Sequence, residues 1–326
     1  MAAITSYRTS LIIAFLGYSL IVAGQPPAIS QVKIYFEQRD FEKAKPILAS
    51  IGSEHPDYAD AFYYQGRIAV EEKRYELSIE KFQKAIDINP LTVEYHNWLG
   101  VMYGVVAMNS GKLKQAYLAP KIKNEFEKAA AIDPDNVPTQ WGLLTYYIKA
   151  PFFLGGSGDK ALACAEVISR HDKAQGIRAY ALVHAGQGKI GLAETEYLQA
   201  IKMQPTQCEH VFALAEFYNE QKKFSKSIAL YEDVLLKNPQ NMVASFHLGK
   251  VSAHSGLQTE KGIKCLMDYL RYTPRPNEPA HCDANLGLAM IYEKKGDQVA
   301  AKKYYRSSLE QYPGLKEAQE GLGRVD

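Results

Sequence analysis

The stretch Cys208–Asn241, CEHVFALAEFYNEQKKFSKSIALYEDVLLKNPQN, reads as two short amphipathic helices in 34 residues. Leu214, Ala215 and Tyr218 recur at three- to four-residue spacing and so share one face of the first helix. Ser227, Tyr231 and Val234 do the same in the second. Lys222-Lys223-Phe224 makes the turn, and Pro239, which lacks an amide donor, closes the unit. Small residues at Ala215 and Ser227 let the helices approach, and the tyrosines fill the space beside them. A pair of this size cannot bury its apolar face alone, so it must stack on copies of itself.

Most of the chain consists of such copies. Residues 25–58 carry Tyr35, Phe41, Ala44, Leu48 and Pro56 at the same spacings, and residues 59–92 carry Phe62, Gly66, Ser78, Phe82, Ala85 and Pro90. The third unit, 93–136, begins with Leu99, Gly100 and Tyr103 and returns to register at Phe126, Ala129 and Pro134. Between them lies an insertion around MNSGKLKQAYLAP, expected to lengthen both helices with Gly111 at the turn. The fourth unit, 137–173, diverges most. Pro151 ends its first helix, APFFLGGSGDKA forms a long connection, and Ser157 or Asp159 is placed to cap the second. Units follow at 174–207, 208–241, 242–276 and 282–315, and Leu315–Leu322 is an apolar-periodic helix suited to cover the end, within a cap at 316–326.

The order large–small–aromatic, then small–aromatic–small, then proline resembles the tetratricopeptide repeat. The resemblance covers nearly all of residues 25–326 and implies an all-α, right-handed α-solenoid superhelix of helix-turn-helix units. More narrowly, KIKNEFEKAAAIDP and APFFLGGSGDKA resemble segments of exported bacterial tetratricopeptide proteins. The family binds peptides or helices in a concave groove lined by first helices at repeat positions 2, 5, 9 and 12. Position 5 here holds Ile29, Tyr63, Asn97, Trp141, Arg178, Phe212, Phe246 and Leu286, and position 9 holds Lys33, Arg67, Val101, Thr145, Leu182, Glu216, Lys250 and Met290. The resemblance thus implies a groove using Tyr63, Arg67, Trp141, Arg178, Phe212, Glu216, Phe246, Lys250 and Leu286. The alternative is that position 5 packs inside its own helix pair. On the groove reading, replacing Phe212 and Phe246 by alanine weakens a partner and leaves folding nearly intact. No cationic clamp for a terminal carboxylate is evident, which sets aside the chaperone-docking subgroup.

Composition fits a folded interaction protein. Of 326 residues 47% are hydrophobic and 23% charged, and 38 basic against 36 acidic residues leave a formal net charge of +2. The charges are mixed, with no basic stripe, so nucleic acid is not expected as a ligand. Arg8 followed by LIIAFLGYSLIVAG reads as a secretory signal over residues 1–24, cut before Gln25. The apolar run is too short for a membrane span, so none is expected after cleavage. Gln25 stands where a lipid anchor needs cysteine. The expected location is outside the cytoplasm: periplasmic in a Gram-negative bacterium, otherwise secreted.

Candidate chemistry is thin. GGSGDK (Gly155–Lys160) is not a phosphate loop, because Asp159 separates Gly158 from Lys160, Ala161 follows, and no strand precedes it. It reads as a helix-capping turn beside Phe152 and Phe153, which either tuck under the loop or form an exposed lip. His247 and His254 lie two turns apart, beyond a shared metal, and His281-Cys282-Asp283 has no further ligands at fixed spacing. Cys164, Cys208, Cys265 and Cys282 fall at different repeat positions and are expected to be mostly free thiols. No metal, cofactor or catalytic residue is expected. The function that follows is a non-catalytic scaffold or holdase in cell-envelope assembly, with a peptide or helical segment in the groove. The alternative is an accessory subunit that positions a cell-wall or secretion enzyme through its convex face or its long third and fourth units.

Overall fold

A computed structural model describes residues 28–326; the signal and its cleavage point lie outside the described residues. Those residues form 17 α-helices and no strand. They pair as α1 (Ala28–Glu37) with α2 (Phe41–Ser50), α3 (Tyr58–Glu71) with α4 (Tyr75–Ile88), and α5 (Val93–Met108) with α6 (Lys112–Ile132). Next come α7 (Val137–Lys149) with α8 (Gly158–His171), α9 (Lys173–Gly186) with α10 (Ile190–Met203), and α11 (Cys208–Glu220) with α12 (Phe224–Lys237). Helices α13 (Met242–Ser255) with α14 (Thr259–Tyr269) and α15 (His281–Lys294) with α16 (Gln298–Gln311) complete the pairs, and α17 (Lys316–Val325) covers the last. Each helix packs on its sequence neighbours, the arrangement of an α-solenoid.

The repeat pattern explains this packing. Ala44, Ser78, Ala193, Ser227 and Ala301 occupy one repeat position and are all fully buried. Four positions on, in the next turn, stand the side chains that fill the gap a small residue leaves: Phe82, Tyr197, Tyr231 and Tyr305, all buried. Gly66 faces Phe82 so closely that a Cβ there would lie 2.6 Å from the ring. Local capping sets the boundaries. The side chains of Asp40, Asn136, Ser157, Asp172, Asn241 and Asp297 each accept a bond from an amide in the first turn of the following helix.

The turns inside the pairs share one backbone requirement. Arg39, Lys73, Gly188, Lys222, Gly256 and Gly296 fall at equivalent repeat positions, and all have positive φ, between 55° and 79°. Glycine meets this without cost, whereas the two lysines and the arginine adopt it against a steric penalty of about 1 kcal/mol.

The long third and fourth units position what lies beside the groove. The added turns of α5 and α6 pack through Val106, Ala107 and Leu118, with Tyr103 and Ile122 partly buried against them. Under them, His96 Nδ1 lies 2.7 Å from the buried Glu125 carboxylate and its Nε2 lies 2.9 Å from the Pro90 carbonyl. The row of helices curls until its first pairs face its last: the Lys73 ammonium donates to both Asp283 oxygens at 2.8 Å.

Candidate binding groove

Because the solenoid curls this far, first helices from its two ends enclose a cavity of about 780 Å³. From the early units α3 and α5 contribute Val70, Glu71, Trp98, Met102 and Val105. From the late units α13 and α15 contribute Phe246, His247, Lys250, Asp283, Leu286 and Met290, and the link Asn277–Ala280 runs along one rim. Apolar side chains thus form a floor, with cations and carboxylates around it.

Three of the expected groove residues meet in this cavity: Phe246, Lys250 and Leu286. Lys250 is exposed and Leu286 half-buried, both open to a ligand. Phe246 differs, being 5% exposed and packed 5.1 Å from the Tyr269 ring among Leu266, Leu288 and Ile291. Truncating it opens a core cavity, so the expectation that Phe246→Ala leaves folding nearly intact does not hold. Tyr63 likewise belongs to a core, against Phe82 and Tyr95 at 5.9 and 5.3 Å. Its hydroxyl accepts from Arg67 at 2.9 Å, and the Arg67 guanidinium lies 4.0 Å from the Trp98 ring centre and 4.8 Å from that of Phe36. Arg67 is therefore built into an aromatic sandwich at the cavity edge.

The remaining expected residues lie along the middle of the row, apart from this cavity. Trp141 carries the Arg178 guanidinium 4.6 Å from its ring centre, where burial pushes the Arg178 pKa below its ordinary value. Phe212 leans on Tyr231 and His247 at 5.6 Å, and Glu216 is exposed, accepting from Asn219. His247 stacks on Tyr231 with ring planes 10° apart, and burial pushes its pKa down to about 4, with Lys250 adding to the effect.

Trp98, Met102 and Val105 did not follow from the repeat positions used above. Trp98 and Met102 stand one residue beyond the groove positions Asn97 and Val101, and Val105 lies one residue beyond Gly104 in the next turn, so α5 presents a neighbouring stripe. The mixed-charge rim, with Glu71, Lys73, Asn277 and Asp283, had no signal within any one repeat.

The glycine-rich turn after α7 is a packed corner. The amides of Leu154 and Gly156 donate to the Pro151 carbonyl, that of Gly155 to Phe152, and that of Ser157 to Tyr147. Those four donors are therefore used internally and do not form a phosphate cradle. Gly155 has φ of +93°, and a Cβ on Gly156 would lie 1.8 Å from the Ala150 carbonyl oxygen. Phe152 and Phe153 form the lip rather than the tuck, at 91% and 81% exposed. All four cysteines are unpaired; Cys164, Cys265 and Cys282 are buried, and burial pushes the Cys164 thiol up to about 11. Among the described residues no group of three or more His, Cys, Asp or Glu could hold a metal, and no helix is long and apolar enough to cross a membrane.

Stacked helix pairs around an internal groove define an α-solenoid interaction protein. Tetratricopeptide repeat profiles match residues 29–92, 178–241 and 283–314, and the chain belongs to the tetratricopeptide repeat family. No curated protein sequence matches it. Among solved structures it is similar to yeast Tom70, at 15% identity and a TM-score of 0.62 over 91% of this chain. The match spans 58% of that Tom70 chain's length. It is also similar to a monomeric mutant of IFIT1 with Gppp-AAAA, at 14% identity and a TM-score of 0.52 over 93% of this chain and 73% of that one. A Thermus thermophilus tetratricopeptide protein, TTC0263, is 20% identical over 59% of this chain and 98% of its own, with a TM-score of 0.45. At these identities the likeness is one of fold.

Proposed function

We propose that this chain is an exported, non-catalytic scaffold or holdase of the cell envelope that takes a peptide or helical segment of another protein into its groove. The observation that carries this reading is the lining of the 780 Å³ cavity. An apolar floor of Trp98, Leu286 and Met290 beside Lys250, Glu71 and Asp283 suits a segment with hydrophobic anchors and charged flanks. Export rests on the residues before Gln25, and the envelope role rests on export. A second reading has its own support. Phe152 and Phe153, with Leu113 at 91% exposed and Tyr117 at 63%, lie on the two long units and offer apolar surface outside the groove for an enzyme to dock on.

Photo-crosslinking amino acids placed in intact cells at Leu286 and Met290, and separately at Leu113 and Phe153, distinguish the two. Adducts from the groove positions alone support the scaffold reading. Adducts from the long-unit positions alone reverse it in favour of the accessory subunit. Sequencing the purified chain from its N-terminus tests export: a start at Gln25 is expected, and a retained Met1 would remove the envelope assignment.

A further inference from the structure

The cavity has a seam. Where the early units meet the late ones, the linking groups are mostly polar side chains and the backbone of the Asn277 link, with one aromatic contact, Tyr75 edge-on to Tyr312 at 6.2 Å. Lys73 holds both oxygens of Asp283 at 2.8 Å. The Arg39 guanidinium donates to Glu71 at 2.7 Å and to the Arg275 carbonyl at 3.2 Å. Glu71, whose side chain is 6% exposed, accepts in turn from the Asn277 amide at 3.0 Å. Arg67 reaches the Asn277 side chain at 3.4 Å, and Lys73 also lies 5.7 Å from the Tyr312 ring centre. Apart from Arg39 and Glu71, which lie 32 residues apart on the early side, these partners stand more than 200 residues apart in the chain.

Two features set this seam apart from the rest of the molecule. Helix-on-helix packing runs between sequence neighbours along the whole row, and the seam adds none of comparable extent. A small, polar interface between two packed bodies is one that opens. The second feature is where its cations come from. Arg39 and Lys73 occupy the left-handed turn position that glycine fills in three other pairs. From that position the side chains of Arg39 and Lys73 reach across the seam, to the Arg275 carbonyl and to Asp283.

We propose that Arg39, Glu71, Lys73, Asn277 and Asp283 form a clasp that holds the superhelix shut as a ring. The internal segment of a folded or continuous partner then reaches the cavity only when the clasp opens; with the clasp closed, a segment enters end-on. The inference rests on the groove being the binding surface, and it adds the control of entry. Ionic strength and charged groups on a partner act on the same ion pairs and so bias the opening.

The test needs no partner. The chain has two tryptophans, and Trp141→Phe leaves Trp98, at the cavity wall, as the only one. Acrylamide quenching of Trp98 then reports how open the ring is. Lys73→Glu sets like charges against Asp283 and is expected to raise the quenching constant roughly twofold, as is high salt on the parent protein. Adding Asp283→Lys to Lys73→Glu restores the opposite pairing and the low value. Asp283 also accepts from the Ala280 amide at 3.1 Å, so this rescue is read on quenching and not on stability. Lys222→Glu is the control, since Lys222 has the same backbone conformation and no partner across the seam. Unchanged quenching in Lys73→Glu with its helical circular dichroism intact would overturn the clasp. So would a rise that Asp283→Lys fails to reverse, or an equal rise in Lys222→Glu. Any of these leaves the groove reading standing, because that reading falls only to crosslinking from outside the cavity.

Discussion

His247 shows how a single residue at the groove acquires a measurable consequence. Its ring stacks on Tyr231 and faces Phe212 and Phe246, and burial holds its pKa near 4 against an ordinary 6.5. Below pH 6.5 the unfolded chain takes up a proton that the folded ring refuses, so the unfolded state binds more protons and stability falls with pH. The loss sets in near pH 6.5 and is complete near pH 4, amounting to about 2 kcal/mol once the ring's part-exposed edge is allowed for. Comparing urea midpoints at pH 7 and pH 4.5 in the parent and in His247→Phe isolates this contribution. The parent is expected to lose more stability than the variant, and equal losses would mean that the ring is protonated inside the fold. The repeat register assigned Phe212 and Phe246 to one groove position, whereas the histidine's environment depends on rings from three helices. That environment could not be read from spacing.

At the scale of the element, the corner between α7 and α8 is tightly determined. Its glycines look, in sequence, like a ligand loop. In the structure two of the three have a steric duty: Gly155 takes a left-handed conformation, and Gly156 lies against the Ala150 carbonyl. Ser157 then caps α8 by accepting from the Lys160 amide at 3.3 Å. A Cβ at Gly156 cannot be accommodated without moving backbone. Gly156→Ala is therefore expected to lower stability by about 3 kcal/mol, measured by chemical denaturation. A loss below about 0.5 kcal/mol, the range of an ordinary surface change, would show that the corner is looser than drawn. A cap at Ser157 or Asp159 was legible in the sequence, because a side-chain oxygen beside the first helical turn acts locally, and the structure gives the role to Ser157. Exposure of Phe152 and Phe153 was not, since either outcome fits the same twelve residues.

The whole molecule combines two kinds of interface with different strengths. Within and between pairs, small residues and aromatic rings interlock in a row of hydrophobic clusters. At the seam, partly exposed ion pairs join the ends, with the Lys73 and Asp283 side chains 16% and 28% exposed. Stability in a repeat array is a sum over neighbouring units, and the seam pair contributes to that sum as an isolated ion pair does. Lys73→Glu is thus expected to change the unfolding free energy by no more than about 1 kcal/mol while it opens the ring. Thermal or urea unfolding of the variant checks this. A loss of several kcal/mol would place the seam in the cooperative core and make it a structural joint instead of a clasp.

The amino-acid sequence determined by itself the class of the fold, the helix pairs and which residues fill the space between them. Every one of those decisions is made by side chains within about one repeat of each other, at the periodicity of a helix. Tertiary structure alone decided that the row of pairs curls until Lys73 meets Asp283, and that Trp98 and Met290 face one cavity. Small rotations between successive pairs add up along the chain, and no single repeat records their sum. The expected groove residues therefore divide into three gathered at the closure and six left along the row or taken into its core and edge. Register assigns a residue to a face of its helix, and only the accumulated curvature determines what that face meets.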